Sequence, residues 1–293
     1  MNLQGVMPAL VTPFDAQNRV DLKALERHMT SLREAGVTGW VPCGSTGEYF
    51  SMSDEERLEV LKFVKSFARE GEALIAGTNA PATREVIRNT EQAKAIGYDI
   101  VLLATPFYTR PTQDELLKHY RAVLDAVDVD IILYNYPPKD GIEISFELMD
   151  ELADNPRIIG IKESSGVLQR AVDIHNRYAG RINLVSGSDD IALDFMFWGA
   201  DSWICGPANC MVKACVDLDR TFRSGDLEKA RQKMATLYRA MNILESGKFV
   251  QKIKYGCELQ GTPVGPCRAP LGPLTDDEKA AFRAAMAPIL EWK

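Results

Sequence analysis

Residues 96–104, Ile96-Gly97-Tyr98-Asp99-Ile100-Val101-Leu102-Leu103-Ala104, place a glycine directly before a short apolar run. The apolar run is rich in strand-forming residues and predicts a buried strand over Asp99–Ala104. Gly97 stands where a helix that ends in a left-handed conformation needs a residue without a Cβ atom. The same arrangement occurs at Ala35-Gly36-Val37 and at Trp198-Gly199-Ala200. The chain is therefore predicted to alternate helices with strands.

Eight apolar runs predict strands, and the amphipathic stretches between them predict helices. The predicted strands are Val6–Thr12, Gly39–Cys43, Ala73–Gly77, Asp99–Ala104, Asp130–Tyr134, Arg157–Ile161, Asn183–Ser186 and Asp201–Cys205. Regular alternation implies a parallel sheet, and eight units favour a closed (β/α)8 TIM barrel. An open dinucleotide-binding sheet would carry Gly-x-Gly-x-x-Gly after its first strand, where this chain has Thr12-Pro13-Phe14-Asp15. We therefore predict an α/β fold of the TIM-barrel class.

The strand pattern stops after residue 207, and helical patterns follow. The predicted helices are Val212–Phe222, Leu227–Leu244, Lys248–Glu258 and Asp276–Leu290, and a Gly/Pro-rich break at Gly261–Pro273 precedes the last of them. We therefore expect a barrel with the active site over residues 1–224 and a C-terminal helical extension over residues 225–293.

The composition is typical of a folded globular protein and does not favour binding to polyanions. Hydrophobic residues make up 46% of the 293 residues and charged residues 26%, which is ordinary for a globular protein. The 34 basic and 41 acidic residues give a net charge of −7, and the basic residues form no block. Nucleic-acid and anionic-membrane partners need clustered Lys and Arg, so both are disfavoured. A mildly acidic chain can still have a local basic spot that binds a small acid.

Cysteine, histidine and hydropathy patterns bear on compartment and metal binding. No apolar run approaches the roughly 20 residues of a membrane span, and the N-terminus does not have the pattern of a secretory signal. The six cysteines form no Cys-x-x-Cys pair, which predicts reduced thiols in a cytoplasmic protein. The three histidines, His28, His119 and His175, are far apart, which argues against a zinc site.

Lys162 is the main candidate for catalysis. In barrels of this class the catalytic residues lie at the C-terminal ends of the strands. Lys162 follows the predicted strand Arg157–Ile161, so it is expected to be partly desolvated. Burial disfavours the charged form and lowers the pKa of a lysine, and a neutral amine can attack a ketone to form a Schiff base. A lysine at this place could equally extend its amine to solvent.

Two further strand ends carry polar residues that fit such chemistry. Tyr134 closes the preceding predicted strand, and a tyrosine beside Lys162 could shuttle protons. A buried wall tyrosine with a satisfied hydroxyl is the alternative. Ser45-Thr46 lies between Gly44 and Gly47, so a ligand could approach it closely, although the same motif could form a plain turn that caps a helix.

Together these residues resemble the dihydrodipicolinate synthase / N-acetylneuraminate lyase family. The family consists of Schiff-base lyases that act on pyruvate or pyruvate-derived 2-oxo acids. The resemblance extends from Ala9-Leu10-Val11-Thr12-Pro13-Phe14 to the C-terminal helices. The motifs that carry it, in the family's order and spacing, are Gly44-Ser45-Thr46-Gly47-Glu48, Thr105-Pro106-Phe107-Tyr108, Leu133-Tyr134-Asn135-Tyr136-Pro137 and Gly160-Ile161-Lys162-Glu163.

The resemblance implies a catalytic role for each residue of these motifs that matches the family. Lys162 would form the Schiff base, and Tyr134 would transfer protons. Ser45 and Thr46 would hold the carboxylate of the pyruvyl group, and Ser45 would relay protons to Tyr134. Tyr108 would complete the relay by reaching into a neighbouring subunit, so a homotetramer built as a dimer of dimers is implied. No cofactor and no metal is implied beyond the covalent imine.

The substrate-binding positions are less uniform. The resemblance implies that Gly187 and Ile204 contact the substrate through backbone atoms. Lys139 stands where synthases of the family usually have an arginine for the carboxylate of the second substrate, and a solvated loop lysine is the alternative. Asp189-Asp190 resembles the acidic pair with which sialic-acid lyases bind sugar hydroxyls. A helix N-cap is the other interpretation of this pair.

Several reactions therefore stay open. The commonest in the family is condensation of pyruvate with aspartate semialdehyde, as in 4-hydroxy-tetrahydrodipicolinate synthase. Ser45-Thr46 in place of Thr-Thr is more typical of sialic-acid lyases and sugar-acid aldolases. The alternatives are a 2-keto-3-deoxy sugar-acid aldolase or dehydratase, a pyrroline-carboxylate deaminase of hydroxyproline breakdown, and a non-catalytic 2-oxo-acid-binding barrel. The positions that in lysine-inhibited members hold small residues and histidines are Tyr49, Phe50, Asp54 and Arg57, so lysine is not expected to inhibit.

Overall fold

The computed structural model describes residues 3–292, and it has the eight predicted strands in one sheet. The strands are β1 (Gly5–Pro8), β2 (Gly39–Trp40), β3 (Ala73–Gly77), β4 (Ile100–Ala104), β5 (Asp130–Asn135), β6 (Ile158–Glu163), β7 (Asn183–Ser186) and β8 (Ser202–Cys205). Their order in the sheet is β1-β8-β7-β6-β5-β4-β3-β2. A parallel bridge between Ala9 and Val41 joins the two end strands. The fold is therefore the predicted (β/α)8 barrel with helices after it.

Helices fill the intervals between the strands and follow the last one. They are α1 (Leu22–Ala35), α2 (Asp54–Phe67), α3 (Thr83–Ile96), α4 (Gln113–Ala126), α5 (Pro137–Asp140), α6 (Phe146–Ala153), α7 (Leu168–Tyr178), α8 (Ala192–Phe197), α9 (Ala208–Arg223), α10 (Leu227–Glu245), α11 (Phe249–Leu259) and α12 (Asp276–Leu290). Gly36 and Gly97 cap α1 and α3 with φ of 99° and 105°, and Gly199, just past α8, has φ of 85°. The predicted left-handed glycines are confirmed.

The first two strands are shorter than predicted. The sequence pattern predicts Val6–Thr12 and Gly39–Cys43, whereas the ladders end at Pro8 and Trp40. Pro8 and Pro42 have no N–H to donate to a neighbouring strand, so the regular pairing stops at or near each of them.

The sixth strand is longer than predicted. Tyr134 pairs with Lys162, and Asn135 pairs with Glu163, so β6 continues to Glu163. Lys162 therefore lies inside the strand rather than after it.

The C-terminal helices agree closely with the prediction, except at the start of α9. This helix begins at Ala208, but Met211 has a non-helical backbone with φ of −145° and ψ of 40°. Regular helix therefore starts at Val212, the residue where the sequence predicts it. The break turns the chain between the end of β8 and the helix proper.

The chain divides into two compact units. One runs from the start of the described residues to Ala73 and resumes at Trp203, so it contains β1, β2, β8 and α9–α12. The other, Leu74–Ser202, contains β4 to β7 and the helices that follow them. The division between residues 1–224 and 225–293 stays a prediction. Within residues 3–292 no helix is long and apolar enough to cross a membrane.

Candidate active site

Tyr134 and Lys162 are neighbours in the unit formed by Leu74–Ser202. Both lie at the C-terminal ends of their strands, and the parallel register of β5 and β6 places them opposite each other. The Nζ atom of Lys162 lies 4.3 Å from the centroid of the Tyr134 ring. Lys162 is only 6% exposed, so its amine stays within the fold instead of extending to bulk solvent. A buried amine beside a phenol is suited to carbonyl chemistry with proton transfer.

Gly187 leaves room for the Lys162 side chain. A Cβ atom on Gly187 would lie 2.8 Å from Cγ of Lys162 and 2.0 Å from Oγ of Ser164. The amide of Gly187 donates to the carbonyl of Glu163 at 3.0 Å, which fixes the end of β7 against β6. A larger residue here would displace the lysine. Gly187 thus lies against the stem of Lys162, and its contact with substrate stays a prediction.

The environment of Tyr134 keeps its phenol protonated. Burial raises the pKa of Tyr134 well above its ordinary value. The neighbouring groups Tyr136, Asp140 and Asp189 raise this pKa further, whereas the hydroxyl of Ser164 acts in the opposite direction. At neutral pH the Tyr134 hydroxyl is therefore a proton donor. Asp189 is thus one of the charged groups that act on the Tyr134 hydroxyl.

Asp189 is buried and opens a short 3-10 turn over Asp189–Ile191. The N-cap of this turn is Ser188, and that of α8 is Ile191. The N-cap interpretation of Asp189-Asp190 is therefore wrong. The two residues also differ in burial, because Asp190 is partly exposed.

Tyr136 and Lys139 extend the site outward from Tyr134. The rings of Tyr134 and Tyr136 are stacked, with centroids 5.6 Å apart and planes inclined by 27°. Lys139 lies on α5 and is exposed, and its Nζ lies 5.1 Å from the centroid of the Tyr136 ring. The lysine thus has a defined contact with an aromatic face and is not simply extended into solvent.

A buried polar network lies directly behind the pair, on the opposite face of the two strands. Asn135 donates from Nδ2 to both carboxylate oxygens of Glu163, at 3.0 and 2.9 Å. Arg170 of α7 donates from Nε to Glu163 at 2.8 Å and from Nη2 to the carbonyl of Ile144 at 2.9 Å. Successive side chains of a strand point to opposite faces, so Asn135 and Glu163 lie behind Tyr134 and Lys162. The network therefore fixes the two strand ends on which the pair is placed.

The network is a feature that sequence reasoning missed. Asn135 and Glu163 stand inside the matching motifs, but their roles were not assigned. Successive side chains of a strand point to opposite faces of the sheet. Each of these two residues directly follows a candidate catalytic residue, so this alternation could have placed both of them behind the site.

Asp140→Asn is expected to stabilise the protein at about pH 8 and to leave its stability unchanged at about pH 3. Burial raises the pKa of Asp140 from 3.8 to about 6, despite the hydrogen bond from Thr105 and the charge of Lys139, which lower it. A carboxyl group with a raised folded-state pKa favours folding fully below its unfolded pKa, and this contribution is lost as the pH rises through the folded pKa. Above the folded-state pKa, we expect the substitution to raise the free energy of unfolding by about 2 kcal/mol. This is less than the full pKa shift would give, because the side chain is partly solvated. Thermal unfolding at both pH values measures this gain in stability. An equal change in melting temperature at the two pH values would contradict the prediction.

Ser45 and Thr46 belong to the other unit. They lie in the loop Gly44–Glu48 after β2, where the amides of Gly47 and Glu48 donate to the carbonyls of Gly44 and Ser45. Thr46 is buried and Ser45 is partly exposed. A Cβ atom on Gly44 would meet no atom of residues 3–292 within 4 Å. The loop is thus a tight turn with free space beside its first glycine.

Ile204 and Tyr108 have contrasting settings. Ile204 is fully buried on β8, in the same unit as the Ser45 loop. Tyr108 follows β4 and is 92% exposed, with a left-handed backbone at φ of 73°. A large aromatic side chain held in an unfavourable backbone conformation and directed to solvent is unusual in a single subunit.

Across residues 3–292, no three His, Cys, Asp or Glu side chains come together as a metal ion would require.

The chain matches known proteins over nearly its whole length. The model of the dihydrodipicolinate synthetase family matches residues 2–288. The protein named 4-hydroxy-tetrahydrodipicolinate synthase of Acidiphilium cryptum is 36% identical over 282 residues, which is 96% of this chain and 97% of that protein. The protein of the same name from Trichlorobacter lovleyi is 38% identical over 283 residues, or 97% of each chain.

Solved structures agree. The chloride-inhibited dihydrodipicolinate synthase of Acinetobacter baumannii, complexed with pyruvate, is 33% identical and superposes with a TM-score of 0.94 over 98% of this chain and 99% of that one. Dihydrodipicolinate synthase from Aquifex aeolicus is 31% identical, with a TM-score of 0.93 over 98% of each chain. Motifs, fold and relatives coincide, so this chain is a lyase-type enzyme of the dihydrodipicolinate synthetase family.

Proposed function

We propose that this enzyme condenses pyruvate with aspartate semialdehyde through a Schiff base on Lys162. The observation that carries the proposal is the buried contact between the Lys162 amine and the Tyr134 ring, 4.3 Å apart, at the C-terminal ends of two adjacent strands. The names of the relatives support the condensation, and the Acinetobacter baumannii structure contains pyruvate.

The proposed reaction uses the lysine as nucleophile. The neutral amine of Lys162 attacks the ketone carbon of pyruvate, and water leaves as the protonated imine forms. The imine withdraws electrons from the adjacent methyl group, which loses a proton and becomes a carbon nucleophile. That carbon forms a bond with the aldehyde carbon of the second substrate, whose oxygen takes up a proton and becomes a hydroxyl group. The amino group of the second substrate then attacks the imine carbon, which closes the ring, and the lysine leaves as the free amine. Each step moves a proton, so a donor beside the imine is required.

Tyr134 is the proposed donor and acceptor of these protons, and its protonated phenol at neutral pH suits that role. We assign Ser45 and Thr46 to the carboxylate of pyruvate, and Ser45 also to the relay that includes Tyr134. Their tight loop, with free space beside Gly44, supports the assignment. Tyr108 is proposed to complete the relay from a neighbouring subunit.

The second substrate is assigned to the outer residues. Lys139 is proposed to bind its carboxylate, and its exposed position above Tyr136 supports this role. Asp189 is proposed to orient polar groups of the substrate, which its burial and its electrostatic influence on Tyr134 support. Gly187 and Ile204 are proposed to contact substrate through their backbone atoms. The contact of Gly187 with the Lys162 stem supports the first of these two assignments.

Borohydride trapping with pyruvate tests the proposal. We expect the intact mass to rise by one reduced pyruvyl group per chain, and peptide mapping to locate it on Lys162. Lys252→Met is the matched control. Lys252 is as buried as Lys162, and burial lowers its pKa, so it is the competing amine, yet this variant should keep the full adduct. An adduct on another lysine would refute the assignment.

A substrate panel decides the second half of the reaction. Turnover of pyruvate with aspartate semialdehyde is expected. Cleavage or dehydration of 2-keto-3-deoxy sugar acids, or deamination of the hydroxyproline-derived pyrroline carboxylate, with no condensation would establish one of the alternative lyases. If the protein binds 2-oxo acids but borohydride traps no adduct, it would be a non-catalytic barrel.

We also propose a homotetramer. Large apolar side chains are exposed in the unit Leu74–Ser202, at Val167, Phe197 and Trp198, besides Tyr108. Phe197 and Trp198 are consecutive in the chain, and exposed apolar side chains that lie together mark association surfaces. We therefore expect the Phe197→Asp variant to sediment with a mass at least one subunit smaller than that of the wild type. Tyr238 is also exposed and is the matched control, so Tyr238→Asp should sediment with the mass of the wild type. Equal masses for both variants would remove this surface from consideration.

The location of the enzyme, its need for a cofactor and its inhibition by lysine are also part of this proposal. A cytoplasmic location is supported by the six cysteines, all of which are thiols outside any disulfide. The reaction as proposed needs no cofactor or metal, because the imine itself supplies the electron sink. Lysine is not expected to inhibit, and a titration that shows inhibition at millimolar lysine would contradict this.

A further inference from the structure

Glu48, the last residue of the Ser45–Thr46 loop, has an unusual setting. Its side chain is 0% exposed, and its backbone is left-handed with φ of 56°. Left-handed backbone is unfavourable for residues other than glycine and persists where the surroundings determine it. A buried carboxylate must in turn be compensated by an opposite charge. Both features indicate that something specific holds Glu48 in place.

Lys254 of α11 supplies the opposite charge. Its side chain is 3% exposed, and its Nζ lies 2.6 Å from Oε1 of Glu48. The same amine donates to the carbonyl of Thr12 and to that of Pro266, each at 2.9 Å. Nζ also lies 4.5 Å from the centroid of the Phe14 ring. The ammonium group therefore ties the loop to the segment after β1 and to the Gly/Pro-rich segment before α12.

Further hydrogen bonds make the arrangement rigid. The hydroxyl of Thr12 donates to the carbonyl of Gly47 at 2.7 Å, so Lys254 reaches the loop by a second route. The amide of Arg268 donates to Oε2 of Glu48 at 2.9 Å. Gly265 has no space for a side chain, since its Cβ would lie 1.8 Å from the carbonyl oxygen of Phe14.

We propose that Glu48 and Lys254 are positioning residues that hold the Ser45–Thr46 loop in the geometry needed to bind the carboxylate of the 2-oxo acid. The C-terminal helix α11 thereby acquires a part in substrate binding, although none of its residues is assigned to contact with substrate. This inference rests on the proposed function of the loop.

A fully buried ion pair is weak evidence for stability alone, because desolvation offsets much of the attraction between the charges. An apolar pair of similar volume could fill the same space. A charged pair, however, fixes the direction of the loop in a way that an apolar pair cannot, because Lys254 also donates hydrogen bonds to two carbonyl groups and Glu48 accepts one from Arg268. The carboxylate of Glu48 is held from two sides, by Lys254 at Oε1 and by Arg268 at Oε2.

Lys254→Met and Glu48→Gln test the proposal by steady-state kinetics. We expect KM for pyruvate to rise at least about tenfold, since the loop binds the carboxylate of the substrate. We expect kcat to fall by a smaller factor, since Ser45 of the same loop also belongs to the proposed proton relay. The matched control is Glu72→Gln. Glu72 pairs with Arg33 at 2.7 Å, is also largely buried in the same unit, and lies directly before β3. This control should lose stability without a change in KM.

Hydrogen exchange supplies a readout that does not depend on substrate. In Lys254→Met the amides of Gly47 and Glu48 should exchange at least about tenfold faster than in the wild type, and in Glu72→Gln they should not. Unchanged exchange and unchanged KM, with lower stability, would reduce the pair to a structural role and overturn the proposal. If the wild type forms no pyruvate adduct, the proposed function fails. Faster exchange in Lys254→Met would then still support the positioning of the loop but not its role in binding pyruvate.

Discussion

Lys162→Ala is expected to abolish the borohydride-trapped pyruvate adduct and to lower kcat/KM by at least about 10³-fold. The reason is chemical, because without the amine the ketone of pyruvate cannot become a protonated imine, and the covalent route is closed. A loss of this size corresponds to at least about 4 kcal/mol of transition-state stabilisation. Intact mass after trapping and initial rates under identical conditions measure the two effects.

Tyr134→Phe is the matched comparison. It leaves the lysine and the aromatic ring in place and removes only the hydroxyl, so the adduct should still form, but more slowly. The expected fall in rate is about 10² to 10⁴-fold, the usual contribution of a positioned acid or base. If Lys162→Ala kept the adduct, the nucleophile would be another residue and the assignment would be wrong.

The fold could be predicted from the sequence because its signals are local. Each strand is a run of apolar residues, and helix ends are marked by Gly36, Gly97 and Gly199, all of which are left-handed. Where the prediction differed, the cause was also local. Proline shortened β1 and β2, and pairing between strands extended β6 to Glu163. The sheet order itself follows from the regular alternation of strand and helix.

The candidate site could be predicted only in part. Lys162 and Tyr134 were found because strand ends carry the chemistry of a barrel. Asn135 and Glu163 were missed although they directly follow these two residues, and other partners were missed because they are remote in sequence. Arg268 and Glu48, for example, are 220 residues apart. Neither residue shows a local pattern that marks it as buried, so only the three-dimensional structure connects them.

Arg170→Met is expected to destabilise the protein by about 3 kcal/mol, at the lower end of what breaking a buried ion pair costs. Arg170 and Glu163 form an ion pair at 2.8 Å, and their side chains are 6% and 0% exposed. Methionine fills the space but leaves the Glu163 carboxylate without its countercharge. The urea midpoint should fall with an unchanged slope, which reports a loss of stability rather than a change in compactness.

The control for this prediction is Arg181→Met, which removes an ion pair with Asp154 in the same unit. Its partners are 49% and 88% exposed, so solvent screens the pair and the urea midpoint should equal that of the wild type. Glu163→Gln combined with Arg170→Met should recover part of the loss, since the uncompensated charge is then gone. If the double variant were no more stable than Arg170→Met, the cost would arise from lost packing of the guanidinium and not from the buried carboxylate. Because Glu163 adjoins Lys162 on β6, a true electrostatic effect should also slow imine formation in Arg170→Met.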